Sequence, residues 1–238
     1  MKHFLKAWVI AGTLVLGAVG SLRAEEPPAP RFLVRADLDL AAELPHPPAL
    51  GSLAALGDFE AVLQAQVWRT ADQVAWAKAV DKGTVWDNAD VLGAWFMESK
   101  LPRLALFFRD IGKDLRPVSA AAKKRFDRPR PPKVDARIKP CIDLPDSGSY
   151  PSGHSLYIFM EAEVLSEIFP EVRKELFDRA HRAAWGRILG GVHFPTDVVG
   201  GRLLAKAFVA EIKKSRAFQE EVAACRAEAA PFLMKKAG

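Results

Sequence analysis

The sequence predicts an all-α, single-domain protein, and three observations lead to that prediction. Apolar residues recur at helical spacing in long segments, as at Leu53, Leu56 and Phe59. Alternating apolar and polar residues, which would predict β-strands, are nearly absent. The chain has 238 residues, 50% of them hydrophobic, which is enough for one sizeable core. We therefore expect a helical bundle with its loops and helix starts gathered at one end.

The helices are expected within residues 51–238, after an extended, proline-rich segment at residues 25–50. Residues 133–150 lack helical periodicity and predict a long loop, a feature that is often functional in compact domains. The predicted helices cover residues 52–82 with a break near residue 70, 84–99, 101–114, 115–130, 152–168, 171–186, 195–214 and 217–235.

Residues 1–24 have the pattern of a secretory signal peptide. Lys2 and Lys6 precede an uncharged apolar run at residues 7–20, and Ala24 offers a small residue for cleavage. The run is shorter than the ~20 residues that a membrane-spanning helix needs. An uncleaved N-terminal anchor is the alternative interpretation. No later segment predicts a membrane span, so the mature chain is expected to have none.

Removal of that segment changes the charge of the chain. Three of the 34 lysine and arginine residues lie in it, which leaves a mature net charge of about +2 against 29 acidic residues. Binding to nucleic acid needs a large clustered excess of positive charge, so this class of partner is excluded.

Cys141 and Cys225 are the two cysteines of the chain. Export to an oxidising compartment favours a disulfide between them, and two unpaired thiols are the alternative. Neither lies in a CxxC pattern, and no His/Cys cluster has zinc-site spacing, so no metal site is predicted.

A basic segment at residues 123–131 is the first of three chemically distinctive motifs. Taken alone, basic residues at a helix end are typical of a solvated face that complements the helix dipole. The second motif is Pro151–His154. Ser152 suits the N-cap of a helix, and Gly153 lets a ligand approach free N–H groups that favour anions. His154 could donate a proton to a bound group, although a capped helix with a surface histidine has the same pattern.

The third motif runs from Arg187 to Asp197. Pro195 suits a first helical turn, so His193 precedes a helix start and Asp197 can reach back to the imidazole. A carboxylate on one ring nitrogen fixes the tautomer and leaves the other nitrogen free to attack. A structural His–Asp pair is the alternative interpretation.

The three motifs together supply complementary parts of a phosphoryl-transfer site. This chemistry needs positive charge on the phosphate oxygens, a nucleophile and an acid for the leaving group. Lys123, Arg130 and Arg187 supply charge in this interpretation. His193 supplies the nucleophile, and His154 supplies the acid.

The order and spacing of these residues resemble the signature of the type 2 phosphatidic acid phosphatase (PAP2) superfamily. Its three parts match Lys-x6-Arg-Pro from Lys123, Pro-Ser-Gly-His from Pro151 and Arg-x5-His-x3-Asp from Arg187. The superfamily includes bacterial class A non-specific acid phosphatases, lipid phosphatases and vanadium haloperoxidases. Residues 44–52, followed by Asp58, are similar to the N-terminal pattern of the class A acid phosphatases.

The resemblance implies a periplasmic, all-α acid phosphatase that acts on small phosphomonoesters without a metal or cofactor. It implies a phosphohistidine at His193, oriented by Asp197, and protonation of the leaving group by His154. Phosphotransfer to other alcohols is an expected side activity, and the family suggests homo-oligomers. The groups that would bind phosphate are Lys123, Arg130, Ser152, Gly153 and Arg187.

One residue departs from the family pattern, because Gly186 stands where a serine usually precedes the arginine. The lost hydroxyl hydrogen bond, worth ~1 kcal/mol, leaves the positioning of Arg187 open. Three other functions also stay open: a phosphatase for lipid headgroup phosphates, a vanadate-dependent haloperoxidase, and a phosphate-binding protein without catalysis.

Overall fold

The computed structural model describes residues 29–35 and 38–234, so the predicted signal peptide at 1–24 lies outside the described residues. Within them the regular secondary structure is helical, without a strand. No helix in this part of the chain is both long and apolar enough to span a bilayer. The α-helices are α1 Leu53–Trp68, α2 Ala71–Asp81, α3 Ala89–Leu92, α4 Pro102–Phe126, α5 Pro131–Val134, α6 Gly153–Ile168, α7 Arg173–Leu189, α8 Pro195–Ile212 and α9 Arg216–Met234.

Local sequence explains where several helices begin. The Ser52 side chain accepts a hydrogen bond of 3.2 Å from an N–H group in the first turn of α1. Thr70 forms a capping box with Gln73 at the start of α2, which confirms the predicted break near residue 70. Pro102 and Pro195 occupy the first turns of α4 and α8, where a fixed φ and a missing N–H are tolerated.

Two helix predictions are wrong. Residues 84–99 form short 3-10 turns around the four-residue helix α3, because Gly93 adopts a φ of 110° and ends it. The helices predicted at 101–114 and 115–130 are one helix, α4, which continues through Pro117. Buried Ile111 and Leu115 keep one apolar face against the core on the way to that proline, so packing outweighs the lost hydrogen bond. The helix ends at Phe126, because the next residue, Asp127, has a left-handed φ of 39°.

The segment after α5, residues 135–152, has no regular helix, as predicted for most of the 133–150 loop. The disulfide expected between the two cysteines is absent, because both are free thiols. Cys141 lies in this loop and contacts the Leu189 carbonyl oxygen at 3.7 Å, whereas Cys225 is buried in the main core on α9.

Helix α6 lies at the centre of the bundle. It packs most extensively against α8 and α7 and also contacts α9 and α4. Phe159 and Leu165 of α6 and Phe208 of α8 are fully buried in this core. Burial of a large apolar side chain stabilises the fold by ~1.5–3 kcal/mol, so these contacts hold the helix ends in fixed positions.

Candidate active site

The chemically distinctive residues meet at one end of the bundle. The Ser152 N–H, before α6, donates to the Asp197 carbonyl oxygen of α8 at 2.9 Å and ties the two helix starts together. The C-terminal ends of α2, α4 and α7 bring Asp81, Lys123 and Arg187 to the same end. The free N–H groups at the start of α6 therefore lie beside basic side chains, an arrangement that suits an anion. At the start of α8, in contrast, the Thr196 N–H is already bound by Asp58.

His193 is buried, with 1% of its surface exposed, immediately before α8. Its Nδ1 lies 3.4 Å from the Asp197 Oδ2, and its Nε2 lies 3.1 Å from the Arg130 Nη1. Because a guanidinium can only donate, Nε2 carries the lone pair and Nδ1 carries the proton. The geometry therefore leaves Nε2 as the nucleophilic atom.

A network of donors fixes the Asp197 carboxylate that faces His193. The Phe194 N–H donates to Oδ2 at 2.8 Å, the Ser149 hydroxyl donates to Oδ2 at 2.5 Å, and Arg128 Nη1 donates to Oδ1 at 2.7 Å. Hydrogen bonds to a buried carboxylate are strong, so Asp197 has little freedom to turn away from the imidazole.

Arg128 extends this network to α1. Its Nη2 donates to the Asp58 Oδ2 at 2.7 Å, and Asp58 also accepts hydrogen bonds from the Thr196 N–H and hydroxyl. Arg128 and Asp58 are 5% and 4% exposed. The guanidinium also lies 4.2 Å from the centre of the Phe194 ring. The support of His193 is therefore a buried, fully paired cluster of charges.

Two of the predicted phosphate-binding cations are held by carbonyl oxygens. Lys123 Nζ donates to the Gly148 and Pro151 oxygens at 2.8 and 2.9 Å, and one of its three donors remains free. Arg130 donates to the Ser147 and Val192 oxygens at 2.8 and 2.9 Å. The loop before α6 thus aims both cations at the space beside His193.

Arg187 is fully buried and incompletely satisfied. Its Nη1 forms an ion pair with the Asp81 carboxylate. Its Nε and Nη2 have no hydrogen-bond partner among the described residues. A buried donor without a partner is costly, so this guanidinium is organised for an acceptor that binds there.

His154 lies in the first turn of α6 and is more accessible than His193, with 39% of its side chain exposed. Its Nε2 is 3.1 Å from the Asp81 carbonyl oxygen and 3.5 Å from the Asp81 carboxylate. Asp81 therefore touches both Arg187 and His154. Sequence reasoning missed this residue because no motif includes the end of α2.

Gly186, the departure from the family pattern, has a packing explanation. A Cβ at this position would lie 2.6 Å from Val80 Cγ2 and 3.7 Å from Ala77 Cα. Helix α2 can approach α7 closely only because residue 186 has no side chain. The same approach brings Asp81 to Arg187, so an ion pair holds the arginine that a serine was expected to position.

Burial shifts both histidines towards their neutral forms. It lowers the pKa of His193 to about 3; Asp197 opposes this shift, and the charges of Arg130 and Lys123 add to it. Burial also lowers the pKa of His154, and the charge of Arg187 adds to this effect, whereas Asp81 opposes it.

The basic residues keep their charge in acidic solution. Burial lowers the pKa of Lys123 to about 8 and that of Arg130 to about 10, and in both cases a neighbouring arginine adds to the shift. Acidic conditions therefore combine charged basic groups with a neutral His193, a state that suits attack on a bound phosphate.

The structure thus brings the predicted site residues into one cluster. Arg130 contacts His193, Lys123 lies against Gly153 and the loop before it, and Arg187 and His154 meet at Asp81. Within the described ranges, no group of three or more His, Cys, Asp or Glu side chains is arranged to hold a metal ion.

Comparison with known proteins gives matches of three kinds. The PAP2 superfamily profile matches residues 109–220. A non-specific acid phosphatase of Providencia stuartii is 27% identical over 194 residues, which cover 78% of this chain and 78% of that protein. A non-specific acid phosphatase of Salmonella typhimurium is 36% identical over 115 residues, 47% of this chain and 46% of that protein. This chain thus aligns with about half the length of the Salmonella relative.

A solved structure, that of a bacterial vanadium-dependent iodoperoxidase, has the same fold. The two superimpose with a TM-score of 0.53 at 19% sequence identity, over 74% of this chain and 54% of the other. The match confirms the predicted all-α architecture.

Proposed function

We propose that this chain, which belongs to the PAP2 superfamily and is a phosphatase of that superfamily, hydrolyses phosphomonoesters in acidic solution through a phosphohistidine at His193. One observation carries the finer part of this proposal. The unpartnered Nε and Nη2 of buried Arg187 share a site with the neutral, oriented His193 imidazole. An incoming phosphate satisfies those donors and offers phosphorus to Nε2.

Binding of the phosphate uses the free donors of the cluster. Arg187 offers the donors of its Nε and Nη2, Lys123 offers its third N–H, and the start of α6 offers the N–H groups near Gly153. Arg130 exchanges its contact with His193 Nε2 for a phosphate oxygen, which frees the lone pair of the nucleophile.

Two displacements complete the reaction. In the first, the Nε2 lone pair of His193 forms a bond to phosphorus, and the ester P–O bond breaks as its oxygen takes the proton of His154. In the second, neutral His154 removes a proton from water, the water oxygen attacks phosphorus, and the N–P bond electrons return to Nε2. Nδ1 keeps its proton throughout, and Asp197 stabilises the positive charge that develops on the ring.

Metal independence belongs to the same proposal. The three basic side chains supply the charge that a metal ion supplies in other phosphatases. We therefore expect turnover of p-nitrophenyl phosphate to persist in EDTA. Loss of turnover on chelation, with recovery on addition of a divalent metal, would contradict this part.

The assay that tests the function compares His193→Ala with wild type on p-nitrophenyl phosphate at several acidic pH values. We expect turnover to vanish in this variant. His181→Ala is the matched control, because His181 is exposed on α7 and packs against Phe159, away from the phosphate cluster. Comparable activity in His193→Ala would overturn the assignment. Peroxide-dependent bromination after addition of vanadate would instead identify a haloperoxidase.

Export to the periplasm, cleavage after Ala24 and phosphotransfer to alcohols are further proposals. The first two rest on the residue pattern at 1–24. The third follows from the phosphohistidine, since this intermediate reacts with any hydroxyl that reaches it. Addition of an alcohol such as glycerol should divert part of the phosphate from water to the alcohol.

A further inference from the structure

A cavity of about 340 Å³ adjoins the phosphate cluster on the His154 side. Its wall consists of one face of α6, part of α7 and the turn that follows α2. Gly153 and His154 form one end of this wall and also belong to the phosphate cluster. The remaining lining residues are Val80, Gly83, Thr84, Asp87, Tyr157, Ile158, Glu161, Arg179 and Ala183.

The position of the cavity relates it to the leaving group. An in-line displacement by His193 sends the leaving oxygen away from Nε2 and towards His154, its proton donor. Whatever is attached to that oxygen must then lie on the His154 side of the phosphate, where the cavity begins. The volume is within the ~300–1,000 Å³ range of sites for small organic molecules.

The walls of the cavity are mainly apolar near its middle and polar at its far end. Tyr157 and Ile158 follow His154 by about one helical turn, and both are partly buried. Glu161 comes two turns after His154, which places it ~10 Å farther along α6 at a rise of 1.5 Å per residue. A molecule that reaches from His154 to Glu161 passes over an apolar surface.

The Glu161 carboxyl group has no hydrogen-bond or ion-pair partner within the described part of the chain. Two charged neighbours in the cavity wall are engaged elsewhere. Arg179 donates to the Asp87 carbonyl oxygen at 3.0 Å and to Asp90 at 2.9 Å, and the Asp87 carboxylate accepts the Thr84 N–H at 3.0 Å. The far end of the cavity therefore offers one carboxyl group that is free to bind a ligand.

From this geometry we infer that the cavity is the leaving-group pocket, and that Glu161 selects alcohols with an apolar body and an uncharged hydrogen-bonding group at the far end. The inference rests on the proposed phosphatase function and deepens it by naming a substrate class. Burial raises the pKa of Glu161 to about 8, and Asp87 adds to the shift while Arg179 opposes it. In acidic solution the carboxyl group is neutral, so it both donates and accepts hydrogen bonds.

The distribution of charge along the pocket distinguishes these uncharged leaving groups from leaving groups that carry further phosphates. The basic residues of the site, Lys123, Arg130 and Arg187, all lie at the phosphate end. Arg179, the basic residue of the cavity wall, is already paired with Asp90. A second phosphate at the far end would meet no free cation, so bisphosphates and nucleotides with extended phosphate chains do not fit this pocket.

Two aryl phosphates of equal length test the inference. In p-(hydroxypropyl)phenyl phosphate a hydroxyl ends the chain, and in p-butylphenyl phosphate a methyl group replaces it. We expect wild type to favour the hydroxyl substrate by ~10-fold in kcat/KM, since one satisfied hydrogen bond is worth about that ratio. Glu161→Leu should abolish the preference, and Glu161→Gln, which keeps a neutral donor and acceptor, should retain most of it.

Control measurements distinguish the pocket from the chemistry. Glu167→Leu is the matched control, because Glu167 lies on the same helix but pairs with Lys213 outside the cavity. This variant should keep the wild-type substrate ratio. Ile158→Trp fills the cavity and should slow both aryl substrates more than methyl phosphate. An unchanged substrate ratio in Glu161→Leu, with wild-type turnover intact, overturns the inference alone. Equal turnover by wild type and His193→Ala overturns the proposed function itself.

Discussion

The two histidines of the site occupy contrasting surroundings. His193 is 1% exposed and is held by Asp197, which is itself fixed by Arg128, Ser149 and a backbone N–H. His154 has a side chain 39% exposed, and among the described residues Asp81 alone supplies its hydrogen-bond and ion-pair contacts. The nucleophile is thus oriented before substrate arrives, whereas the acid faces a cavity and can adjust to leaving groups of different shape.

The contrast has an energetic cause. Buried charges are tolerated only when they are paired and hydrogen-bonded, so the His193 side is stable as a complete network and fragile when one member is lost. His154 itself is partly solvated, so its loss leaves little uncompensated charge, whereas loss of Asp81 would leave Arg187 buried without its ion-pair partner. Substitutions in the buried network that supports His193 should therefore mainly reduce stability, whereas substitution of His154 should mainly reduce catalytic turnover.

Arg128→Met should produce the largest loss of stability. The substitution leaves the Asp58 and Asp197 carboxylates buried without their shared partner. We expect the free energy of unfolding to fall by ~3–5 kcal/mol, as measured by urea denaturation. The matched control is Arg125→Met, which breaks an exposed pair with Asp39 and should cost below ~1 kcal/mol. Equal losses in both variants would contradict the distinction.

His154→Ala should have the opposite signature. We expect kcat to fall by roughly 100- to 10,000-fold, because general acid catalysis contributes about that much. The free energy of unfolding should change by about 0.5 kcal/mol or less, as for other partly exposed sites. The loss should be larger for an alkyl phosphate than for p-nitrophenyl phosphate, whose leaving group needs less protonation. An identical loss for both substrates would rule out the acid role.

Asp81→Asn should move the pH profile. The wild-type kcat/KM should fall below a pH of about 3, as His193 becomes protonated, and should also fall as rising pH removes the proton of His154. Asp81 opposes the lowering of the His154 pKa, so its loss lowers that pKa further. The alkaline limb should therefore shift to lower pH while the acidic limb stays in place. A uniform decrease at all pH values would indicate a structural effect alone.

Gly186→Ser should lower stability moderately, by less than Arg128→Met does. The new Cβ meets Val80 Cγ2, so we expect a cost of ~1–3 kcal/mol in unfolding free energy from overpacking. Addition of Val80→Ala should recover part of that loss by making room. A more stable single variant would show that the close approach of α2 and α7 does not depend on the glycine.

Part of this organisation was predictable from sequence because it is local. The start of α6 after Ser152 and the start of α8 at Pro195 follow from capping and proline geometry, and the spacing of His193 and Asp197 follows from one helical turn. The helix predicted at 84–99 was wrong because a single backbone angle at Gly93 overrides a periodic pattern. The separate helices predicted at 101–114 and 115–130 were wrong because packing on the core carries the single helix α4 through Pro117.

The support of the site was harder to predict, since its members are far apart in sequence. Asp81 meets Arg187 across 106 positions, and Arg128 meets Asp58 across 70. Arg128 lies inside the basic motif at residues 123–131, and Asp58 follows a segment similar to the acid phosphatases, so those two positions carried a signal. Asp81 and Glu161 carried none, because only the packing of α2, α6 and α7 brings them to the phosphate and the cavity.

The most direct measurement is chemical trapping of the phosphoenzyme. Rapid mixing with a radiolabelled phosphomonoester followed by quenching in alkali, where phosphohistidine survives, should leave label on the protein. Peptide mapping should place the label on His193, and the His154→Ala variant should accumulate label when a substrate with a good leaving group is used. Normal turnover without any covalent label, or label on another residue, would contradict nucleophilic attack by His193.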